Sequence, residues 1–454
     1  MLWYVWLKRN WQRKVRIVDY LQQHAQNLPD KVFIYQQAGR EQITYSDFWK
    51  SVLQKAGELK DHGWTRGQVL CVRASQTSDY LVLYFACQYL GIVIAPLEHD
   101  LPANKMASVE AQVKEVCLPE GASDILFTTG TTGASKGVVL SDRSLVADAV
   151  NLAEAMGFHR DIIFILNGPI NHFGNHSKVL PIVREGASLY LMESMKNLED
   201  FFKALDFIRG KGRAATFLVP ASIRMLMQFS GERLHTYCDI IEFFETGAAP
   251  IAQSDMQELS RLLPDSRLFN TYASSETGVV CTYNFNDGNQ FPSCVGRPMK
   301  LAHVELRDGV VVCHGEAQMM GYLGDENLSA DGPAEIITSD MGRWDDQGRL
   351  YLIGRTNDII NVGGLKVAPA EVEELVLAVE GVADCICIPV RHPLMGFVPK
   401  LLVVMAEGYT LNKKTLALYL KQKLESYKVP VQYEQVDHIE RTYNGKLNRK
   451  AYVS

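Results

Sequence analysis

The sequence predicts an α/β fold in two parts, a large N-terminal domain of sheets layered with helices and a small α+β module at the C-terminal end. Three observations predict it. The chain has 454 residues, more than one simple core holds at roughly 100 to 200 residues per domain. Through the first third, short β-branched or aromatic runs alternate with amphipathic stretches, the rhythm of a sheet covered on both faces. After about Gly354 the texture changes to a glycine turn, a helix, a strand and a second helix.

Taken in order, the N-terminal segment MLWYVWLKRNWQRK carries an apolar run that Lys8 interrupts. It is too short for a secretory h-region, and its charges lie on the wrong side. Val69-Leu70-Cys71-Val72 reads as a strand, Asp79 to Leu90 as a helix with Tyr, Leu and Ala at helical spacing, and Ile92 to Pro96 as the next strand. Such near-continuous apolar strands imply a buried parallel sheet. Thr216 to Pro220 and Ile241 to Thr246 repeat the pattern, each an apolar strand running into Pro or Gly; ligands in such folds sit at the strand ends. In the last hundred residues, IINVGGLKVAPAEVEELVLAVEG reads as a turn and a helix, CICIPV as a strand and KTLALYLKQKL as a helix.

Composition narrows the function. Hydrophobic residues make up 47%, charged residues 22% and aromatics 9%, close to globular averages and unlike disordered, collagen-like or coiled-coil chains. A net charge of −6 has the wrong sign for a general nucleic-acid binder. The nine cysteines are scattered, with Cys385 and Cys387 at strand period and no CxxC spacing, so buried free thiols in a reducing compartment are expected rather than zinc or disulfides. No uninterrupted apolar run approaches the roughly 18 residues of a membrane span. A cytoplasmic enzyme is the expectation.

Ile125-Leu126-Phe127 runs directly into TTGTTGASKGVVLS, Thr128 to Ser141. Small residues let backbone N–H groups and hydroxyls converge on an anion, and Lys136 supplies a counter-charge. The plain alternative is an ordinary Gly/Ser/Thr-rich turn. A Walker loop needs Ser or Thr directly after its Gly-Lys pair, whereas here Ser135 precedes Lys136 and Gly137 follows it. The segment instead resembles the signature of the adenylate-forming superfamily, which comprises acyl-CoA synthetases, luciferases and peptide-synthetase adenylation domains. Ser135 stands where that family normally has proline. Further motifs follow in the family's order: FETGAAP (Phe244 to Pro250), TYASSETG (Thr271 to Gly278), SDMGRWDDQGRLYLIGR (Ser339 to Arg355), NDIINVGGLKVAPAEVE (Asn357 to Glu373) and RTYNGKLNRK (Arg441 to Lys450). Ala273 and Ser275 replace the usual Gly and Thr.

The resemblance implies a division into residues 1–355, the adenylate-forming domain, and 356–454, a mobile C-terminal domain. It implies ATP, Mg²⁺ and coenzyme A as cofactors. Thr128, Thr129, Gly130, Thr131, Thr132, Gly133 and Lys136 would cradle the phosphates, and Gly247, Ala248, Ala249 and Pro250 would lie beside the adenine. Tyr272 offers an aromatic face to a purine, Glu276 a hard carboxylate oxygen to the metal, and Ser275 a hydroxyl to the α-phosphate. Asp340 and Arg355 suit the ribose hydroxyls; as bland alternatives, either is half of a surface ion pair worth under about 1 kcal/mol. Lys446 is a point charge on a flexible stem, suited to a carboxylate and the α-phosphate together. His172 matches the position where the acyl pocket meets the thiol tunnel, Asn357 the hinge, and Gly363 with Gly364 the close approach to the thiol arm.

The activity so implied is activation of a carboxylic acid to acyl-AMP with release of pyrophosphate, then transfer to the thiol of coenzyme A. The partners are a small carboxylic acid and CoA or a carrier protein, with no nucleic acid and no membrane span. No acidic residue stands in Phe173-Gly174-Asn175-His176, where amino-acid-activating relatives present an Asp. The alternatives are an enzyme that loads a carrier-protein thiol, and a decayed nucleotide-binding homologue marked by Ser135, Ala273 and Asn357. The connection from Pro96 to Ile125 is short, and relatives usually carry an additional βα stretch there.

Overall fold

A computed structural model describes residues 15–36, 39–128, 136–288, 290–291, 293–441 and 447–452. The chain begins with α1 (Ile17–Asn27), β1 (Val32–Gln36), β2 (Glu41–Thr44), α2 (Tyr45–Asp61), β3 (Val69–Arg73), α3 (Ser78–Leu90), β4 (Val93–Leu97), α4 (Ala103–Lys114), β5 (Ala122–Thr128) and β6 (Lys136–Ser141). It continues through α5 (Asp142–Met156), β7 (Ile162–Leu166), α6 (Phe173–Glu185), β8 (Ser188–Leu191), α7 (Leu198–Ile208), β9 (Arg213–Phe217), α8 (Pro220–His235), β10 (Ile241–Gly247), α9 (Gln253–Leu262) and β11 (Arg267–Ser274). Mostly antiparallel strands follow: β12 (Gly278–Asn284), β13 (Cys294–Pro298), β14 (Ala302–Arg307), β15 (Val310–Gly315), β16 (Gly321–Tyr322), β17 (Ile336–Trp344) and β18 (Leu350–Arg355). The C-terminal part holds β19 (Ile360–Val362), β20 (Leu365–Val367), α10 (Pro369–Leu377), β21 (Val382–His392), β22 (Gly396–Met405), α11 (Lys413–Lys423) and β23 (Gln432–Gln435).

Three sheets organise these elements. One runs β14-β15-β17-β18-β13-β12-β11-β10-β9-β7-β8-β1-β2, a second β16-β6-β5-β4-β3, and a third β20-β19-β22-β21 with β23 on β22. The centre of the first, β8-β7-β9-β10-β11, is parallel, as the sequence predicts, and so is β3-β4-β5. The remaining pairs in these two sheets, apart from the parallel β1–β8 pair, are antiparallel, so the sheets are mixed.

Period-two alternation divides the core. Ile162, Phe164 and Leu166 point to the face shared with the second sheet, where α5 and α6 are sandwiched and Ile94, Leu126 and Val138 close the layer. Ile163 and Ile165 point the other way, onto Phe201, Phe202 and Leu205 of α7, Ile223 of α8 and Met256 of α9. Local chemistry fixes where the central helix starts and stops. Ser141 caps α5 by accepting from the Ser144 N–H at 3.0 Å, and Gly157 ends it in the left-handed region at φ 66°. The third sheet has its own apolar cluster, including Val367, Val372, Cys387, Leu401 and Leu420.

One sequence expectation shifts. The strand expected over Thr216 to Pro220 is Arg213–Phe217, because Pro220 opens α8. Proline suits the first helical turn, where no N–H is needed. The short connection between β4 and β5 contains only α4, whose Val113 packs with Val93 and Ala95. All nine cysteines are free thiols.

Candidate active site

The parallel strands end together. Gly247, the last residue of β10, is the register partner of Thr271 in β11. A Cβ on Gly247 would stand 2.8 Å from the Thr271 carbonyl oxygen, so no other residue fits without moving backbone. Ala248 then takes φ 66°, a left-handed conformation that costs about 1 kcal/mol for a non-glycine residue. The chain turns sharply and leaves Ala248 and Pro250 exposed with Ala249 half-buried. Below this turn Glu245 is fully buried, and its carboxylate meets Lys178 Nζ of α6 at 2.6 Å. Burial raises the Glu245 pKa against the pull of Lys178.

Next along the edge is Tyr272. Its hydroxyl donates to Asp340 Oδ2 at 2.8 Å, and Arg355 Nε donates to Asp340 Oδ1 at 3.0 Å. Asp340 and Arg355 face each other across the β17–β18 ladder, so strand register alone brings them together. Each carboxylate oxygen keeps further lone pairs, and Arg355 is 41% exposed, which leaves both groups able to meet a sugar. Burial and the Asp340 charge push the Tyr272 phenol far above its ordinary value, so the ring stays a neutral donor.

Ser275 and Glu276 occupy the turn between β11 and β12. Ser274 and Thr277 close that turn reciprocally: the Ser274 N–H donates to Thr277 Oγ1 at 3.2 Å and the Thr277 N–H to Ser274 Oγ at 3.1 Å. Below it, Asp148 of α5 is buried and accepts the Val279 N–H at 2.8 Å. Glu276 Oε1 receives the Tyr322 hydroxyl at 3.1 Å, while Oε2 has no partner among the described residues. An open hard oxygen of this kind fits Mg²⁺. Lys136, at the start of β6, holds its ammonium 4.7 Å from the centroid of the Tyr322 ring. Thr128, closing β5, donates from Oγ1 to the Lys136 carbonyl at 3.4 Å.

Of the sequence-predicted site, then, Lys136, Tyr272, Ser275, Glu276, Asp340 and Arg355 gather along one line of strand ends and turns. Thr129, Gly130, Thr131, Thr132, Gly133 and Lys446 lie outside the described residues. His172 precedes α6, with Nε2 3.3 Å from Glu98 Oε1 just past β4. Asn357 is exposed in the 3-10 turn Thr356–Asp358. Gly363 and Gly364 turn between β19 and β20 at φ 59° and 95°, the Gly363 N–H donating to the Met395 carbonyl at 2.9 Å. Sequence reasoning missed Tyr322, Asp148 and Lys178. Nothing in their spacing links them to the motifs, since each reaches the site from a distant element.

Among the described residues the one group spaced like metal ligands is Glu305, His314 and Glu335, on the outer β14–β15 hairpin and just before β17. Arg307 already bridges both carboxylates, so that group is satisfied as an ion-pair network. Among the described residues, no helix is long and apolar enough to cross a membrane.

Comparison with known proteins gives the family and the fold. The family profile described as "AMP-binding enzyme" matches residues 21–118 and 110–323, and "AMP-binding enzyme C-terminal domain" matches 371–446. A 2-succinylbenzoate–CoA ligase of Staphylococcus aureus is 30% identical over 335 residues, 72% of this chain and 66% of that protein. A substituted propanoyl:CoA ligase of Mycobacterium tuberculosis is 29% identical over 359 residues, 76% of this chain and 69% of that one. The chain thus spans about two thirds of the curated relatives it matches. Among solved structures, the o-succinylbenzoate coenzyme A synthetase of Bacillus subtilis, in complex with ATP and magnesium ion, superposes with a TM-score of 0.80 at 20% identity, covering 95% of this chain and 98% of that one; this likeness concerns the fold.

Proposed function

Because this chain belongs to the AMP-binding enzyme family, we propose that it joins a carboxylic acid to the thiol of coenzyme A in two ATP-driven steps. The observation that supports this reading best is the line of groups from Lys136 through Tyr322 and Glu276 to Tyr272, Asp340 and Arg355. It presents a cation, a free carboxylate oxygen, an aromatic face and a diol-matching acid–guanidinium pair, one chemistry each for a nucleotide's phosphates, its metal, its base and its sugar.

In the first step a carboxylate oxygen bonds to the α-phosphorus and the bond to pyrophosphate breaks. Several negative charges meet, so the work is positioning and neutralisation. Lys136 faces the phosphates, Asp340 and Arg355 fix the ribose, and Lys446 neutralises the attacking acid and the α-phosphate. Bound at Glu276, Mg²⁺ supplies charge neutralisation at the phosphates. In the second step the thiol sulfur bonds to the acyl carbon, AMP leaves with the bonding pair, and the thiol proton passes to solvent. Residues 356–454 form the mobile domain that withdraws Lys446 and brings up Gly363 and Gly364, with Asn357 as the hinge. His172, near Glu98, stands on the acid's side of the site.

The acid is a small molecule, and the enzyme works in the cytoplasm. The absence of an acidic residue from Phe173 to His176 argues against an amino acid. A pyrophosphate-exchange screen over aliphatic, aromatic and dicarboxylic acids, with and without CoA, tests the reading. Exchange with an acid alone and thioester only when CoA is added supports it. Thioester only with a carrier protein transfers the second step to that acceptor, and ATP binding without exchange for any acid leaves a nucleotide-binding homologue.

A further inference from the structure

Tyr322 lies on no motif that the sequence analysis singled out, yet it touches two of them at once. Its hydroxyl donates to Glu276 Oε1 at 3.1 Å, and its ring carries the Lys136 ammonium at 4.7 Å. The backbone around it does the same. The Met319 N–H donates to the Glu276 carbonyl at 2.8 Å, the Met320 N–H to the Val139 carbonyl at 2.8 Å, and the Leu323 N–H to the Gly137 carbonyl at 2.7 Å. Gly321 and Tyr322 pair antiparallel with Val139 and Val138 of β6. Residues 319–323 therefore staple the carboxylate turn between β11 and β12 to the β5–β6 hairpin that carries Lys136. These two pieces belong to different sheets.

We propose that Tyr322 is a positioning residue of the nucleotide site, which sets Glu276 and Lys136 at a fixed separation and orients the Glu276 carboxylate so that Oε2 is the oxygen offered to Mg²⁺. Geometry carries this. A carboxylate on a turn rotates about its own side chain unless one oxygen is tied, and the Tyr322 hydroxyl ties Oε1. An ammonium on a flexible stem wanders unless its far end has a partner, and the ring face supplies one without neutralising the charge, because a quadrupole attracts a cation but accepts no proton. A glutamate or aspartate at position 322 would hold Lys136 more strongly, but it would cancel the charge needed at the phosphates and repel Glu276. A phenol meets both demands.

The inference rests on the ligase reading, and the test separates the two. Tyr322→Phe keeps the ring over Lys136 and removes only the hydroxyl; Tyr322→Leu removes both. ATP binding is measured by calorimetry over a series of Mg²⁺ concentrations, alongside pyrophosphate exchange with the best acid. Tyr322→Phe is expected to need about tenfold more Mg²⁺ for half-maximal ATP binding, as for loss of a hydrogen bond to a charged group, with the KM for the acid and the melting midpoint unchanged. Tyr322→Leu is expected to lose a further few-fold in ATP affinity at saturating Mg²⁺. A wild-type Mg²⁺ requirement in Tyr322→Phe overturns the proposal. So does a loss in which acid KM, ATP affinity and melting midpoint all worsen together, since that is what a residue serving only the fold would give. Wild-type protein that binds no ATP overturns the ligase reading instead.

Discussion

Replacing Asp148 by Asn probes the anchor beneath the turn that carries Glu276. Asp148 is 1% exposed and accepts the Val279 N–H at 2.8 Å. A Cβ on neighbouring Gly278 would stand 2.8 Å from its Oδ1, so backbone and carboxyl are in close contact. Burial raises its pKa from 3.8 to about 7, against the opposing pull of the Val279 N–H and Lys178. An acid whose folded pKa lies above its unfolded value holds its proton more tightly when folded. Its stabilising contribution is therefore complete below about pH 4 and is lost as pH rises through about 7. At about 1.36 kcal/mol per pH unit, the full interval is worth roughly 4 kcal/mol; local relaxation and solvation reduce this to on the order of 2 kcal/mol. Asparagine is neutral throughout, and its amide oxygen accepts the same N–H, so the variant keeps the anchor and loses the titration. Urea unfolding of both proteins from acid to mildly alkaline pH reads the difference. The wild-type midpoint should fall relative to D148N as pH rises from about 4 to about 7 and run parallel to it above that, with the two close together in acid. Asp142 titrates near 7 as well, but it is present in both proteins and cancels. Midpoints that run parallel across the range refute the reasoning.

Three further outcomes are expected. Tyr272→Phe removes the hydrogen bond to Asp340 and should raise the KM for ATP about tenfold or more, the worth of a bond to a charged acceptor, with the acid KM unchanged in steady-state kinetics. Lys178→Met strands the buried Glu245 carboxyl and should destabilise the protein by about 3 to 5 kcal/mol, a loss that a second change, Glu245→Leu, largely restores in thermal unfolding. Lys446→Ala should lower acyl-adenylate formation by several kcal/mol of transition-state stabilisation while ATP binding persists, as read by pyrophosphate exchange beside calorimetry.

How much of this was legible in the sequence differs by kind of residue. Strands such as Val69–Arg73 and Ile241–Gly247 were visible because buried parallel strands are apolar on both faces, and the helix Ser78–Leu90 because its spacing is helical. Motif residues such as Asp340 and Arg355 were legible as a pair of chemistries, and ladder register then explains their contact. The end of β9 was misplaced because Pro220 reads equally as a strand stop and a helix start. The supporting groups were invisible: Asp148, Lys178 and Tyr322 approach from α5, α6 and β16, and no local pattern encodes which distant turn a side chain will meet. Their partners, Val279, Glu245 and Glu276, lie between 46 and 131 positions away.

The β17–β18 hairpin has a mechanical consequence. Arg355 ends β18, and the 3-10 turn containing Asn357 follows without any spacer. In the proposed swing of the C-terminal module, the pivot is thus bolted to the same rod that would grip the sugar. Twisting at the axle would drag the Arg355 guanidinium along Asp340, so the swing itself would loosen the hold on the sugar ahead of AMP's departure. Turnover and nucleotide discharge would then share one lever arm.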